Sequence, residues 1–489
     1  MSEIEFVDVL IVGAGLSGIG AACHLQRLSP ERKFAVIEAR QSLGGTWDLF
    51  RYPGIRSDSD MYTLGYSFKP WVGEKAIADG PSILQYLRDT AREHGIDRHI
   101  RYGQRVRSAA WSSAEAQWTL QIDRELGPGQ GGERLTLRCA FLLMCSGYYN
   151  YEAGYTPEFP GLAQFAGRVV HPQQWSDDID VSGKRVVVIG SGATAVTLVP
   201  ELAKQAAQVT MLQRSPTYMV SRPSVDKLAR RLLRLGGPRL AHGITRWKNL
   251  LFGMYVFRLC RSKPLKVKAG LIELLRRQLP AGYDLRTHFT PRYNPWDQRL
   301  CLVPDGDLFK AIVDNKVSIV TDQIEGFSAT GIRLKSGATL PADLVVTATG
   351  LQVQLMSGMT MQIDGRAVEP ARLVSYKGLM FGGVPNFASI SGYTNASWTL
   401  KADLVSAFVC RLLNHMQRTH TRQCMPQAPD PTMALNPWVD FSSGYFQRVI
   451  DQLPKQGSVK PWKLNQNYIT DLMWLRFGKV DDGVMRFSA

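Results

Sequence analysis

Two glycine turns, each directly after an apolar strand, constrain this chain more than any other feature. The first is Gly13-Ala14-Gly15-Leu16-Ser17-Gly18, after VDVLIV. The second is Gly190-Ser191-Gly192-Ala193-Thr194-Ala195, after VVVI. In this spacing the first glycine permits a tight turn and the second lets backbone approach a pyrophosphate. The third, small position lets helix pack on strand; Ala195 fills it in the second turn. One such turn is a weak signal. Two imply two βαβ units, each offering a helix N-terminus to a dinucleotide. The expected fold class is α/β, with two Rossmann-like dinucleotide-binding domains.

The residue closing each unit separates their ligands. After the first turn a helix is predicted through about Leu28, then the strand FAVIEAR ending near Glu38. A carboxylate there accepts both hydroxyls of an unphosphorylated adenosine ribose, which suits FAD or NAD. In the second unit the strand QVTMLQ is closed by Arg214 and Ser215. A cation and a hydroxyl suit a 2′-phosphate. The contrast assigns FAD to the first site and NADPH to the second. After the second strand the turn Gly44-Gly45, followed by Thr46 and Trp47, gives backbone N–H groups close access to a ligand, expected to be the flavin nucleotide. Val106, in the next sheet segment, joins the same expected site. No cysteine pair stands here, which argues against a disulfide reductase.

Further along, a helix is predicted over 81–94 and an antiparallel meander over 105–111, 117–123 and 134–139, with a GPGQGG loop at 127–132. FLLMCSG at 141–147 reads as a separate buried strand, with Cys145 a core thiol. Apolar residues at helical spacing predict a helical insertion at 222–277. VSIV (317–320) and LVVTATG (344–350) return to a nucleotide domain. The glycines of 376–398 suggest a turn and a helix N-terminus suited to the flavin's pyrimidine edge. A helix follows at 399–417, and the Pro-rich 425–437 reads as a loop. The expected division is 1–150 for the FAD domain, 151–221 for the NADP domain, 222–290 for the insertion, 291–345 for the NADP return and 346–489 for the rest.

The seven cysteines are scattered, odd in number and contain no C-x-x-C pair. That favours a reducing compartment over a disulfide framework, and no metal site is expected. The N-terminus MSEIEFVDVLIVG lacks a cationic start, and no apolar run is long enough to span a bilayer. A cytoplasmic protein is expected. The formal charge is +16, and Arg222 to Arg277 holds fifteen Lys and Arg against Asp226 and Glu273, a net +13. No nucleic-acid motif accompanies it, so no nucleic acid is expected as partner. The window is either a solvated helical face or a basic surface in peripheral contact with anionic lipid on the inner face of the cell membrane.

Between the two units runs Phe165-x-Gly167-x-x-x-His171-x-x-x-Trp175. This segment resembles the fingerprint of the type I Baeyer–Villiger monooxygenases, F-x-G-x-x-x-H-x-x-x-W followed by Pro or Asp. Ser176 stands at that last position. GGTWDLFRYPGIRSDSDMYTLGY, CSGYYNY, YNPWDQRLCLVP and GYTNASWTLKADLVS extend the resemblance over nearly all the chain; it is weakest in 222–270 and 418–440. The resemblance implies that NADPH reduces FAD and that O2 is taken up as a C4a-peroxyflavin. One oxygen atom then enters a ketone to give an ester or lactone, with sulfoxidation of thioethers and thioamides as a side activity. It also implies that Arg299 is the catalytic cation, that Asp58 is the acid near it, and that His171 sits at the hinge between domains. A permanent cation can hold a peroxyanion deprotonated and stabilise a developing alkoxide. Gln298 stands where the family usually has Lys, and Arg292 is the nearby rival of Arg299. The alternative is an N/S-oxygenating flavin monooxygenase without ketone activity. A flavoprotein that only senses redox state is a third reading, opposed by two intact cofactor sites. The sequence leaves the physiological substrate and oligomeric state open.

Overall fold

A computed structural model describes residues 4–126 and 131–489; residues 127–130 of the expected GPGQGG loop lie outside the described residues. The strand Glu5–Val12 runs parallel to Phe34–Ile37 on one side and to Gly132–Met144 on the other. Its Val9, Leu10 and Ile11 are fully buried, as an unalternating apolar run in a parallel sheet requires. The helix Leu16–Leu28 covers this sheet and packs on the helix Trp398–Arg418. The helix expected at 81–94 is Gly80–Glu93, started by the Asp79 carboxylate accepting from Ser82 N at 2.8 Å.

The meander forms from Gln104–Ser112, Gln117–Glu125 and Gly132–Met144. The two strands expected at 134–139 and 141–147 are one. Its first half pairs antiparallel with the meander, and its second half runs parallel to Glu5–Val12 and Phe387–Ser389. The residue pattern changes midway because burial does, from exposed at Gly132 to fully buried at Phe141–Met144.

The second sheet is five parallel strands in the order Val317–Thr321, Gln208–Gln213, Arg185–Ile189, Leu344–Thr347 and Arg168–Val170. The last lies inside the fingerprint. There a Cβ on Gly167 would sit 2.5 Å from the Asp343 carbonyl oxygen, and Phe165 packs into the core beside Val187 and Val345. The chain passes between the sheets at Tyr149–Gly154 and again at Leu351–Val353, and these two crossings pair antiparallel. The Pro-rich region holds two short strands rather than a free loop. Gln423–Pro426 pairs with Met485–Ser488, and Leu435–Pro437 with Lys455–Gly457.

The insertion is built from the helices Lys227–Ser262 and Pro264–Arg276, the first broken at Gly237 (φ 76°) before Pro238. Arg246 fastens it to the first domain. Its Nη1 donates to the carbonyls of Tyr62 (2.9 Å) and Gly65 (2.8 Å), and its Nη2 lies 3.5 Å from Asp403. Asp403 also accepts from Ser67 N at 2.9 Å and faces His24 Nε2 at 3.2 Å.

His242, one turn earlier, is buried. Its Nδ1 accepts from Trp71 N at 3.4 Å, and its Nε2 has no partner among the described residues. Burial, helped by the Arg246 charge, lowers its pKa to about 4. An unfolded histidine titrates near ~6.5, so on acidification the unfolded state takes up this proton first. His242 therefore withdraws stability as pH falls from about 6.5 towards 4, by up to ~1.4 kcal/mol per pH unit. Denaturation at pH 7 and pH 5 is expected to show that loss, and His242→Asn to reduce it. An equal loss in the variant would contradict the assignment.

No helix among the described residues is long and apolar enough to cross a membrane. No group of three metal-ligating side chains occurs among them.

Candidate active site

At the first turn Gly13 has φ +106°, and a Cβ there would lie 2.6 Å from the Cys145 carbonyl oxygen. A Cβ on Gly18 would lie 1.8 Å from the Gly13 oxygen, so no side chain fits. The helix Leu16–Leu28 opens at Gly15 without a side-chain cap, which leaves N–H groups for an anion. Gly45 backs onto Gly15, with a Cβ on Gly45 coming 3.0 Å from Gly15 Cα. Ser17 Oγ accepts from the Trp398 indole at 2.8 Å, Thr46 bonds the Tyr149 hydroxyl, and Trp47 packs against the first core.

Glu38 closes this cradle. Its Oε2 accepts from Ala14 N at 2.7 Å and its Oε1 from Arg40 N at 2.9 Å. Burial raises its pKa against the pull of those two bonds. The carboxylate expected to face a ribose thus also ties the turn to the strand end. Val106 does not reach the turns with its side chain, which sits in the apolar layer with Leu10, Ile37 and Leu120.

At the second turn Gly190 has φ +136°, and its Cβ would meet the Ala348 oxygen at 2.4 Å. A Cβ on Gly192 would meet nothing within 4 Å, and the helix Ala193–Leu202 begins there without a side-chain cap. Ala195 is fully buried against the sheet, and Thr194 lies beside the Tyr52 hydroxyl. Ser191 Oγ donates to the Ser215 carbonyl at 3.1 Å and lies 2.8 Å from Thr217 Oγ1. Arg214 and Ser215 are exposed at the strand end. Each turn is therefore an uncapped cradle of backbone N–H groups that fits a pyrophosphate.

Arg299 enters from the loop before the strand Cys301–Pro304, which runs parallel to Met219–Arg222. The segment leaving the second unit thereby carries Arg299 towards the first. Asp297 braces the loop. Its carboxylate accepts from Asn294 N (3.0 Å) and Arg261 (2.9 Å), and its carbonyl from Ser442 N (3.1 Å) and Oγ (2.9 Å). Arg299 faces a cavity lined by Tyr148, Trp398, Trp438, Tyr445 and Phe446. Its exposed surface opens into that cavity, while protein surrounds it on a wider scale. Burial works to lower its pKa, but Tyr148, Tyr445 and Asp58 raise it overall.

Asp58 lines a neighbouring cavity bounded by the insertion. Burial raises the pKa of Asp58, and the positive charges of Arg299 and Arg56 oppose that. Arg56 is itself paired with Asp307 at 2.5 Å. Arg292 is exposed and lines neither cavity.

His171 lies elsewhere. Its Nε2 donates to the Gly350 carbonyl at 3.1 Å, and its Nδ1 accepts from Gln173 N at 3.1 Å, which assigns a neutral tautomer. Burial lowers its pKa and reinforces that state. Its ring fills the space above Gly154, where a Cβ would come within 1.9 Å. His171 thus pins the paired crossings between the sheets and does not touch the cavity. Trp175 packs on the second core, while Ser176 bonds Asp178 and Arg168 at the surface.

A family described as "Flavin-binding monooxygenase-like" matches residues 76–232, and one described as "NAD(P)-binding Rossmann-like domain" matches 11–71. Among solved structures, an oxidized steroid monooxygenase bound to NADP aligns with a TM-score of 0.75 at 24% identity, covering 99% of each chain. The complex of OTEMO with FAD and NADP aligns with a TM-score of 0.71 at 22% identity, covering 87% of each. The fold is that of the two-dinucleotide monooxygenases. The FAD-containing monooxygenase EthA of Mycobacterium tuberculosis is 54% identical over 485 residues, 99% of this chain and 98% of that protein. This chain belongs to the EthA family of FAD-containing monooxygenases.

Proposed function

We propose that this chain holds FAD in the first cradle and NADPH in the second and inserts one oxygen atom of O2 into ketones. The product is an ester or lactone, and the other oxygen atom leaves as water. The observation that carries this reading is Arg299 facing an aromatic cavity, with Asp58 near enough to act on its charge. Bound flavin supplies hydride acceptance from NADPH and activation of O2.

The chain's own residues do the rest. Gly13, Gly15, Ser17, Gly18, Gly45, Thr46 and Trp47 hold the flavin nucleotide, with Glu38 at its ribose. Gly190 to Ala195 hold the NADPH pyrophosphate, with Arg214 and Ser215 on the 2′-phosphate. Arg299 remains a cation at every working pH and stabilises negative charge developing on the ketone oxygen. Trp398, Trp438 and Phe446 keep water away, which strengthens that charge. Asp58 orients the guanidinium, and neutral His171 positions the crossings. Gln298 offers an uncharged amide where the family offers an ammonium. Oxygen transfer to a thioether or thioamide sulfur develops no alkoxide, so it leans less on Arg299.

Two variants separate the NADPH cradle from the fold. Arg214→Ala is expected to raise KM for NADPH about 10–100-fold, the worth of a charge-assisted phosphate contact, and to leave KM for NADH unchanged. Gly192→Ala should fold normally, because its Cβ meets nothing, yet obstruct both cofactors. Equal losses with NADPH and NADH in Arg214→Ala would refute that role.

The function itself is tested by NADPH consumption of the FAD-loaded protein in air, with and without 2-octanone, with products identified by mass. Ester formation is expected. Sulfoxides or N-oxides from thioethers or amines, with no ester from any ketone, would replace this reading with the N/S-oxygenating one.

A further inference from the structure

We propose that the basic insertion docks on an anionic lipid bilayer, and that the cavity beneath it receives apolar substrate from that side. Ten of the twenty-one exposed large apolar side chains among the described residues fall within 222–277. Five of them, Leu240, Ile244, Trp247, Leu251 and Tyr255, follow one another at steps of four, three, four and four. That spacing puts them on one helix face. A merely solvated helix would turn such a stripe inward. Here the opposite face is the buried one, through Thr245, Arg246 and Leu250.

The patch continues onto a second element. Tyr468 meets Trp247 edge to face at 6.1 Å, and beyond it Met473 and Phe477 are 55% and 64% exposed. The same window presents cations to solvent: Arg230, Arg231, Arg234, Arg239, Lys263 and Lys266 are all exposed. The window's ion pairs among the described residues involve other cations, such as Lys248 with Asp226 and Arg276 and Arg277 with Glu273.

Charge decides between occupants. A second copy could cover the apolar stripe, but it would set one +13 window against another. A nucleic acid would match the cations and leave the apolar stripe unsatisfied. An anionic bilayer satisfies both, with acyl chains for the stripe and headgroups for the exposed cations of the same window. Leu250, Met254 and Phe257 of the same helix line the cavity that Asp58 also lines, and Tyr255 stands at both places. A molecule leaving the bilayer at Tyr255 would enter that cavity. This delivery step rests on the proposed oxygenation; the docking does not.

The test is sedimentation of the FAD-loaded full chain with vesicles of phosphatidylcholine alone and with roughly one-third phosphatidylglycerol. Binding to the mixed vesicles at low salt is expected, falling at least about tenfold as salt is raised, with none to phosphatidylcholine alone. Leu240→Glu with Leu251→Glu should abolish binding and leave turnover of a water-soluble ketone unchanged. Val313→Glu, at an exposed apolar residue outside the insertion, should leave both binding and turnover unchanged. No binding at low salt, or binding that the double variant does not weaken, would overturn the proposal. So would self-association that the double variant removes in the absence of vesicle binding. Vesicle binding by a protein that oxygenates no substrate would support the docking and contradict the proposed function.

Discussion

Replacing Arg299 with alanine is expected to lower ketone oxygenation by at least about 10²-fold, the usual loss when one donor to a developing oxyanion is removed. NADPH oxidation should continue, with its electrons ending in hydrogen peroxide, because both dinucleotide cradles are built from other residues. Flavin content should be unchanged. Stability should shift by no more than about 1 kcal/mol, since the guanidinium opens into a cavity rather than filling a core. Arg299→Lys keeps the charge and loses the planar fork, so it should recover only part of the rate. Sulfoxidation should suffer less than ketone oxygenation. Ester formation at the wild-type rate by Arg299→Ala would remove this residue from the chemistry.

The largest stability effect is expected at Arg246. Its guanidinium is buried and satisfies the carbonyls of Tyr62 and Gly65 while facing Asp403. Arg246→Ala leaves those carbonyls without their donor and the buried Asp403 carboxylate without its guanidinium, with only Ser67 N and His24 beside it. Removing one partner of a buried charged pair costs about 3–5 kcal/mol. Asp403 ordinarily ionises easily despite its burial, because His24 and Arg246 hold its pKa low. A carboxylate depressed in this way contributes stability above its unfolded pKa near ~3.9 and loses it at lower pH. Arg246→Ala should shrink that contribution. The double variant with Asp403→Ala should cost less than the sum of the singles, because the two act on each other. Denaturant midpoints measure all three. A loss below about 1 kcal/mol in Arg246→Ala would mean that the insertion is held by its apolar contacts instead.

Much of the fold is legible in local pattern. The glycine turns, the strand–helix alternation and the helix 399–417, observed as Trp398–Arg418, follow from short-range sterics and periodicity. The contrast between Glu38 and Arg214 is likewise a matter of which residue ends a strand. What local pattern does not carry is partnership across the chain. Thr46 finds Tyr149, Ser17 finds Trp398 and Arg246 finds Tyr62, each across more than a hundred residues. A single Asp297 gives no sign that it will join three parts of the molecule. The strand Gly132–Met144 looks like two because its environment changes halfway. The alternation of the strand Gln104–Ser112 places the Val106 side chain in the apolar layer, but a strand pattern carries no sign of which residue meets a ligand.

Insertion of an oxygen atom from O2 is tested most directly by turnover of the FAD-loaded protein with NADPH, 2-octanone and 18O2. The predicted result is one 18O in the ester, at the oxygen newly bonded to the migrating carbon, with the second label in water. Unchanged ketone, with NADPH spent on labelled hydrogen peroxide, would contradict it.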